Sequence, residues 1–277
     1  DCLLSRGLGD VYKRQSKKSW DERSKRGFSS ESLNEELIAK ITPTINNKFK
    51  HAFLSHEWGK VTEPFDLVDS LAYAAQKSGV VFYKNQVNGI SESLNSVLID
   101  AENGSFKYDA VIIAAGIDSI SFAKSLGDFL PMTAERGYNL TIPYPNIQID
   151  IPIVFADRGI VATSLRSGLR IGGWAEYANP RRPANQAYFD SITRISQELF
   201  PGLSVEGANF WMGSRPSMPD SLPVISKSRK MNRVFYNCGH GHYGLTHAAT
   251  SARLVCDLLA DDQNLSVSSL FSINRFI

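Results

Sequence analysis

A chain of 277 residues holds enough material for one large or two medium domains, each with a core of its own. Its 30 basic and 28 acidic residues leave a formal net charge of +2, which speaks against a dedicated nucleic-acid surface. No apolar run nears the ~20 residues of a membrane-spanning helix, and three scattered cysteines, Cys2, Cys238 and Cys256, suit a reducing, cytoplasmic setting.

Taken in chain order, residues 1–15 (DCLLSRGLGDVYKRQ) match nothing downstream and resemble translated library-adaptor sequence from the edges of metagenomic fragments. They are expected to be a non-native tail. Gly7 and Gly9 begin a G-x-G-x-x-G spacing, but Tyr12 stands at the third glycine and no β-rich run comes first. Residues 16–60 start polar and basic and turn helical through Leu33, Leu37 and Ile38, which reads as a solvated linker with a helical segment. Pro64, then apolar Phe65, Val68, Leu71, Ala72 and Ala75, then Gly79 as a stop predict a helix. VVFYKN (80–85), QVNGI (86–90) and SVLID (96–100) are short β-type runs. An apolar strand over 110–115 is expected to be buried on both faces, closed by Gly116 and followed by a helix over 117–126.

From Met132 the pattern becomes alternating strands, GYNLTIP, IPIVFAD, GIVATSL and LRIGGWAEY, as in an antiparallel sheet, and then a helix over 183–200. Val234, Phe235 and Tyr236 form a short strand running into Gly239, Gly241 and Gly244. After them Leu245, Ala248, Ala249, Ala252, Val255, Leu258 and Leu259 recur with helical spacing. Glycines permit positive φ and close approach, and a helix's first turn offers unpaired N–H groups, so the loop suits a phosphate or the edge of a flavin ring. Alone, such a pattern more often marks a tight connection in an α/β protein.

Just ahead of that loop, residues 213–226 read GSRPSMPDSLPVIS. Together the two stretches resemble the carboxy-terminal half of the D-amino-acid oxidase and dehydrogenase family of flavoproteins. There a G-x-R-P-x-x-P-D-x-x-P-V-I segment precedes a GHGHxGLT-like loop and helix. VIIAAG (111–116), ERGYNLTIP (135–143) and GLRIGGWAEY (168–177) continue the resemblance, in consistent order over roughly residues 61–260. The resemblance implies an α/β fold: an FAD-binding, Rossmann-like domain at 61–131 and 210–262, an inserted antiparallel-sheet (α+β) substrate domain at 132–209, and a tail at 263–277. The family's first strand, glycine fingerprint and acidic ribose residue have no counterpart here. The chain is therefore expected to be an amino-terminally truncated member lacking its first βαβ unit.

The resemblance also implies FAD, with the backbone at Val87 beside the adenine and that at Ala114, Ala115 and Gly116 lining the cofactor. Gly239, His240, Gly241, His242, Tyr243, Gly244, Leu245 and Thr246 would surround the flavin ring. Alternation places Trp211, Gly213 and Arg215 on one strand face, where Gly213 leaves room for a guanidinium whose planar donor fork suits a carboxylate. From the residues alone an ion pair with Asp220 is the plainer reading; in the family, the arginine of this motif clamps the amino-acid carboxylate. Tyr138 either walls the same pocket or fills a core. Arg170 is a further candidate for that pocket, and His242 for a place beside flavin or substrate, while His240 anchors the loop. Cys238, His240, His242 and His247 lack any metal-site spacing, so no metal is expected.

The implied reaction is oxidation of the Cα–N bond of a D-amino acid or related amine, with hydride passing to the flavin and the imine then hydrolysing. The implied partners are a small amino-acid substrate and a quinone or electron carrier, which would place a cytoplasmic protein at the periphery of the inner membrane. Sarcosine and glycine oxidases are the close rival. A catalytically inert fragment is the alternative from another class, as is a Rossmann-type binding module, which leaves the Arg215 motif unexplained.

Overall fold

The computed structural model describes residues 2–6, 10–46, 48–260 and 269–276. The chain divides into two compact units, the first made of Asp1–Val80, Gly137–Ala175 and Pro183–Met212, the second of Val81–Arg136, Glu176–Arg182 and Gly213–Ile277. Unit 1 opens with β1 (Cys2–Arg6), α1 (Asp10–Ser24), β2 (Glu31–Asn34), α2 (Glu35–Ile41), β3 (His51–Ser55) and α3 (Pro64–Lys77). Unit 2 takes β4 (Val87–Ser93), β5 (Ser96–Ala101), β6 (Gly104–Tyr108), β7 (Val111–Ile113) and α4 (Ser119–Ser125). Strand β8 (Thr133–Ile142) leads back to unit 1, which holds β9 (Ile153–Phe155), β10 (Ile160–Leu165), most of β11 (Gly168–Tyr177) and α5 (Gln186–Leu199). From β12 (Asn209–Ser217) the chain returns to unit 2 for β13 (Val224–Lys227), β14 (Val234–Cys238) and α6 (Gly244–Leu259). The result is a mixed α/β fold with several antiparallel sheets, as expected.

The large sheet runs β12-β8-β11-β10-β9-β1-β3-β2. Period-two alternation turns Leu140 and Ile142 of β8, Ile160 and Ala162 of β10, and Leu169 and Ile171 of β11 into one core. Helix α5 covers it with Phe189, Ile192, Ile195 and Leu199, a three-to-four spacing that follows an Asn185 cap accepting the Ala187 N–H at 3.1 Å. Each such side chain contributes about 1.5–3 kcal/mol by leaving water.

Two expectations for the amino-terminal region are corrected here. Residues 16–60 are no solvated linker, because Leu33, Ile38, Phe49, Ala52 and Leu54 belong to this core and β3 is paired on both edges, with β1 and β2. The backbone of β1 also pairs in parallel with β9, so residues 2–6 form part of the sheet rather than a tail. Gly7 and Gly9 lie outside the described residues. Helix α3 has Pro64 as its first residue and stops before Gly79 (φ +95°), and none of its side chains is buried. The run at 80–85 is not a strand: it has no strand partner among the described residues, and Val81, Phe82 and Tyr83 are exposed.

In unit 2, β4, β5 and β6 form an antiparallel meander, and a second sheet runs β13-β14-β7. Within it β7 lies parallel to β14 and β13 antiparallel. The expectation that this apolar strand is buried on both faces is corrected, since Ile113 is buried while Ile112 is 42% exposed. The reason is position: β7 is an edge strand, with β14 as its one partner among the described residues. Beneath the sheet, buried Asp128 accepts hydrogen bonds from Ser228 Oγ (2.5 Å), Tyr236 Oη (2.9 Å) and the Arg229 N–H (3.2 Å). Of the expected tail, residues 269–276 are docked, with Ile273 fully buried and its N–H donated to Ser226 Oγ at 3.0 Å; 263–268 and 277 lie outside the described residues.

Candidate active site

The glycine loop follows from how unit 2 is strung. Tyr236 of β14 stands beside Ile113 of β7 in parallel register, so the chain leaves both strands at the same end of the sheet. In open α/β sheets the crevice beyond the carboxyl ends of parallel strands is where ligands bind. After β7 come exposed Ala114 and Ala115 and then Gly116, at φ +56° with nothing within 4 Å of an added Cβ. After β14 come Gly239, a bridge between His240 and Ser217, a short turn at Gly241–Tyr243, and α6. Gly241 has φ +53°, and a Cβ there would meet only Ser217 Oγ, at 3.6 Å. No side chain caps the start of α6, and residues 242–250 are exposed, so its first-turn N–H groups and dipole face open space.

Beside this shelf four polar side chains converge, all within unit 2. Glu135 of β8 is buried, its side chain 8% exposed. Its Oε2 accepts from Ser217 Oγ at 2.9 Å, and its Oε1 lies 2.5 Å from His242 Nε2. As a carboxylate only accepts, the imidazole Nε2–H is the donor. Arg215 Nη1 lies 3.7 Å from the same Oε1, close enough for charge attraction and too far for a hydrogen bond. That Nη1 is buried and has no hydrogen-bond partner among the described residues. Arg215 and Ser217 alternate along β12, whose neighbour in the sheet is β8, so both reach one carboxylate from one face.

The plainer reading of Arg215 does not hold. Asp220 is bound instead by Arg275, at 2.6 and 3.2 Å, and this guanidinium holds its carboxyl below the usual range. His240 Nε2 bonds Ser251 Oγ of α6 at 2.8 Å, tying the loop to the helix. Burial first, and then the charge of His247, lowers the His240 pKa. The Cys238 thiol is pushed up to about 11 by burial, which leaves it a poor nucleophile or ligand. Among the described residues no three His, Cys, Asp or Glu side chains are grouped to hold a metal.

Three further sequence candidates have surroundings of their own. Tyr138 belongs to unit 1, 1% exposed, its ring 4.6 Å from Tyr188 and edge-on to Phe189 and its hydroxyl accepting the Asn185 N–H at 3.2 Å. Of its two readings, this position is that of a core aromatic. Arg170, also in unit 1, donates from Nε to Thr141 Oγ1 at 3.2 Å. Val87 is half-buried at the start of β4, next to a bulge. Sequence reasoning missed Glu135 and Ser217. Glu135 opens the ERGYNLTIP stretch, but its importance depends on β8 lying beside β12, which no local pattern reveals.

A family model described as DAO, FAD dependent oxidoreductase, matches residues 3–258. The chain belongs to this FAD-dependent oxidoreductase family. It is similar to a D-amino-acid oxidase of Bradyrhizobium diazoefficiens, 31% identical over 263 residues that cover 93% of this chain and 62% of the relative. It is also similar to a D-amino acid dehydrogenase of Rhizobium rhizogenes, 32% identical over 255 residues, 87% of this chain and 61% of the relative. The chain thus spans about three fifths of the length of these curated relatives. The crystal structure of a glycine oxidase from Geobacillus kaustophilus shares the fold, with a TM-score of 0.89 at 20% identity over 100% of this chain and 75% of that one. The shelf fits the cofactor of this family: the space beside Gly116 and Gly241 is what an added Cβ would take from a ligand, and the uncapped tip of α6 favours a group that gains negative charge.

Proposed function

We propose that this chain holds FAD on the shelf of unit 2 and binds the carboxylate of a D-amino acid or related amine through Arg215, for oxidation of the Cα–N bond. The observation that carries the reading is the state of the Arg215 guanidinium: one nitrogen buried without a hydrogen bond, beside a glycine shelf with an open helix tip. A guanidinium attracted by its neighbouring carboxylate but not hydrogen-bonded to it suits a second, incoming carboxylate.

Ala114, Ala115, Gly116 and residues 239–246 would hold the cofactor, with Val87 contributing backbone. FAD, when bound, supplies the acceptor for the hydride that leaves Cα. Arg215 fixes the carboxylate and so restricts which face of Cα is presented. The first turn of α6 stabilises negative charge beside it, and His242 borders the same space. Relatives named D-amino acid dehydrogenase suit an electron acceptor other than oxygen, and the acceptor in this reading is a quinone or carrier reached at the periphery of a membrane. Among the described residues no helix is long and apolar enough to cross one.

The test is spectroscopic. After incubation with FAD and gel filtration, the purified chain should keep a flavin absorbance that D-alanine bleaches under anaerobic conditions. Colourless protein, or bound flavin that no D-amino acid, glycine or sarcosine bleaches, overturns the reading.

A further inference from the structure

We propose that Glu135 is the positioning residue of this site: one buried carboxylate that sets the tautomer of His242 and holds Arg215 in place without filling its donor fork. The inference rests on the proposed function for its purpose, but not for its geometry.

The carboxylate has two oxygens and three neighbours. Ser217 Oγ takes Oε2 at 2.9 Å, and His242 Nε2–H takes Oε1 at 2.5 Å. Each oxygen thus already accepts one hydrogen bond, and Arg215 Nη1 stands 3.7 Å from Oε1, beyond hydrogen-bond reach. A bidentate Arg–carboxylate pair, with two parallel bonds below about 3 Å, would consume the fork. Here Glu135 contributes charge at a distance, and the guanidinium keeps its donors for a second carboxylate. The attraction is little screened, since the Glu135 side chain is 8% and the Arg215 side chain 29% exposed.

The same contact orients His242. Donation from Nε2 leaves Nδ1 as the acceptor of the neutral ring, so Glu135 decides which nitrogen carries the proton beside the shelf. Strand-borne Arg215 and loop-borne His242 are then referred to one point, and the bridge between Ser217 and His240 fastens strand and loop together. A structural ion pair would need none of this sharing.

The experiment uses two variants of the whole chain. Glu135→Gln keeps an acceptor for His242 and removes the charge; Glu135→Leu removes both. In ¹⁵N-detected side-chain spectra the wild-type chain and Glu135→Gln should show His242 protonated at Nε2, whereas Glu135→Leu should show mixed tautomers. The Arg215 Nε–H should exchange with water faster in both variants. In flavin-loaded chain, Glu135→Gln should raise the KM for D-alanine about tenfold, with a smaller loss in kcat. Near-isosteric glutamine keeps the test open if the leucine variant fails to fold. Spectra that move while no D-alanine is oxidised sink the functional reading and leave Glu135 its role. Guanidinium exchange unchanged in the folded variants, His242 still protonated at Nε2 in folded Glu135→Leu, or turnover with an unchanged KM, overturns the role of Glu135 and leaves the function standing.

Discussion

In β11 of unit 1 the hydrogens of glycine face neighbouring backbone. A Cβ added at Gly168 would lie 2.1 Å from the Ile142 carbonyl oxygen, and one at Gly173 would lie 1.9 Å from that of Gly159. At two loop glycines of unit 2 the corresponding space is open: a Cβ at Gly116 meets nothing within 4 Å, and one at Gly241 meets only a serine hydroxyl at 3.6 Å. Crowded glycines are required by strands packed too close for a side chain, and they serve the fold. Open glycines at positive φ serve a turn and leave room for an incoming molecule. As sequence, GLRIGG and GHGHYG are both glycine-rich family matches, and only the surroundings separate them.

The sharpest way to break this comparison is to add the missing methyl. Gly173→Ala should cost more than about 4 kcal/mol, because backbone rather than a flexible side chain must yield, and it should abolish the cooperative melting of unit 1. Asp128→Ala comes next. It strands two buried hydroxyl donors, Ser228 Oγ and Tyr236 Oη, at about 1–3 kcal/mol each, and frees the part-buried Arg229 N–H, so chemical denaturation should report a loss of several kcal/mol confined to unit 2. Gly241→Ala is milder, with about 1–2 kcal/mol of left-handed strain and no clash; the chain should stay folded while FAD retention falls. Equal damage from Gly173→Ala and Gly241→Ala would erase the distinction between the two regions.

The smallest effect is one of pH. Burial, and then the bond to Asp128, pushes the Tyr236 hydroxyl well above its ordinary value. The fold therefore holds the neutral phenol. This contribution is complete below the unfolded pKa of about 10 and is lost as pH rises above it towards the folded value. Denaturation midpoints should fall above about pH 10 in the wild type and fall less steeply in Tyr236→Phe.

The local elements were legible. Pro64 and Gly79 bracket α3, the helix expected over 183–200 is α5 (Gln186–Leu199), and the expected order of strand, glycine loop and helix is realised as β14, its loop and α6. What escaped depended on pairing across the chain. The exposure of Ile112 goes with β7 being an edge, and the burial of Leu33, Ala52 and Leu54 with the place of β2 and β3 in the sheet that holds β9. Asp220 looked like the partner of Arg215 because it is five positions away. It pairs instead with Arg275, 55 positions on, and Arg215 meets Glu135 from the neighbouring strand. Charge partners are set by topology, which short-range patterns do not encode.

The most direct test of Arg215 as the carboxylate clamp is an anaerobic titration of the flavin-loaded chain with D-alanine, wild type against Arg215→Met. Loss of a bidentate charged contact should raise the half-bleaching concentration about 100-fold, with the flavin still bound. The same half-bleaching concentration in both proteins would contradict the account, and flavin lost from Arg215→Met would reassign the arginine to structure.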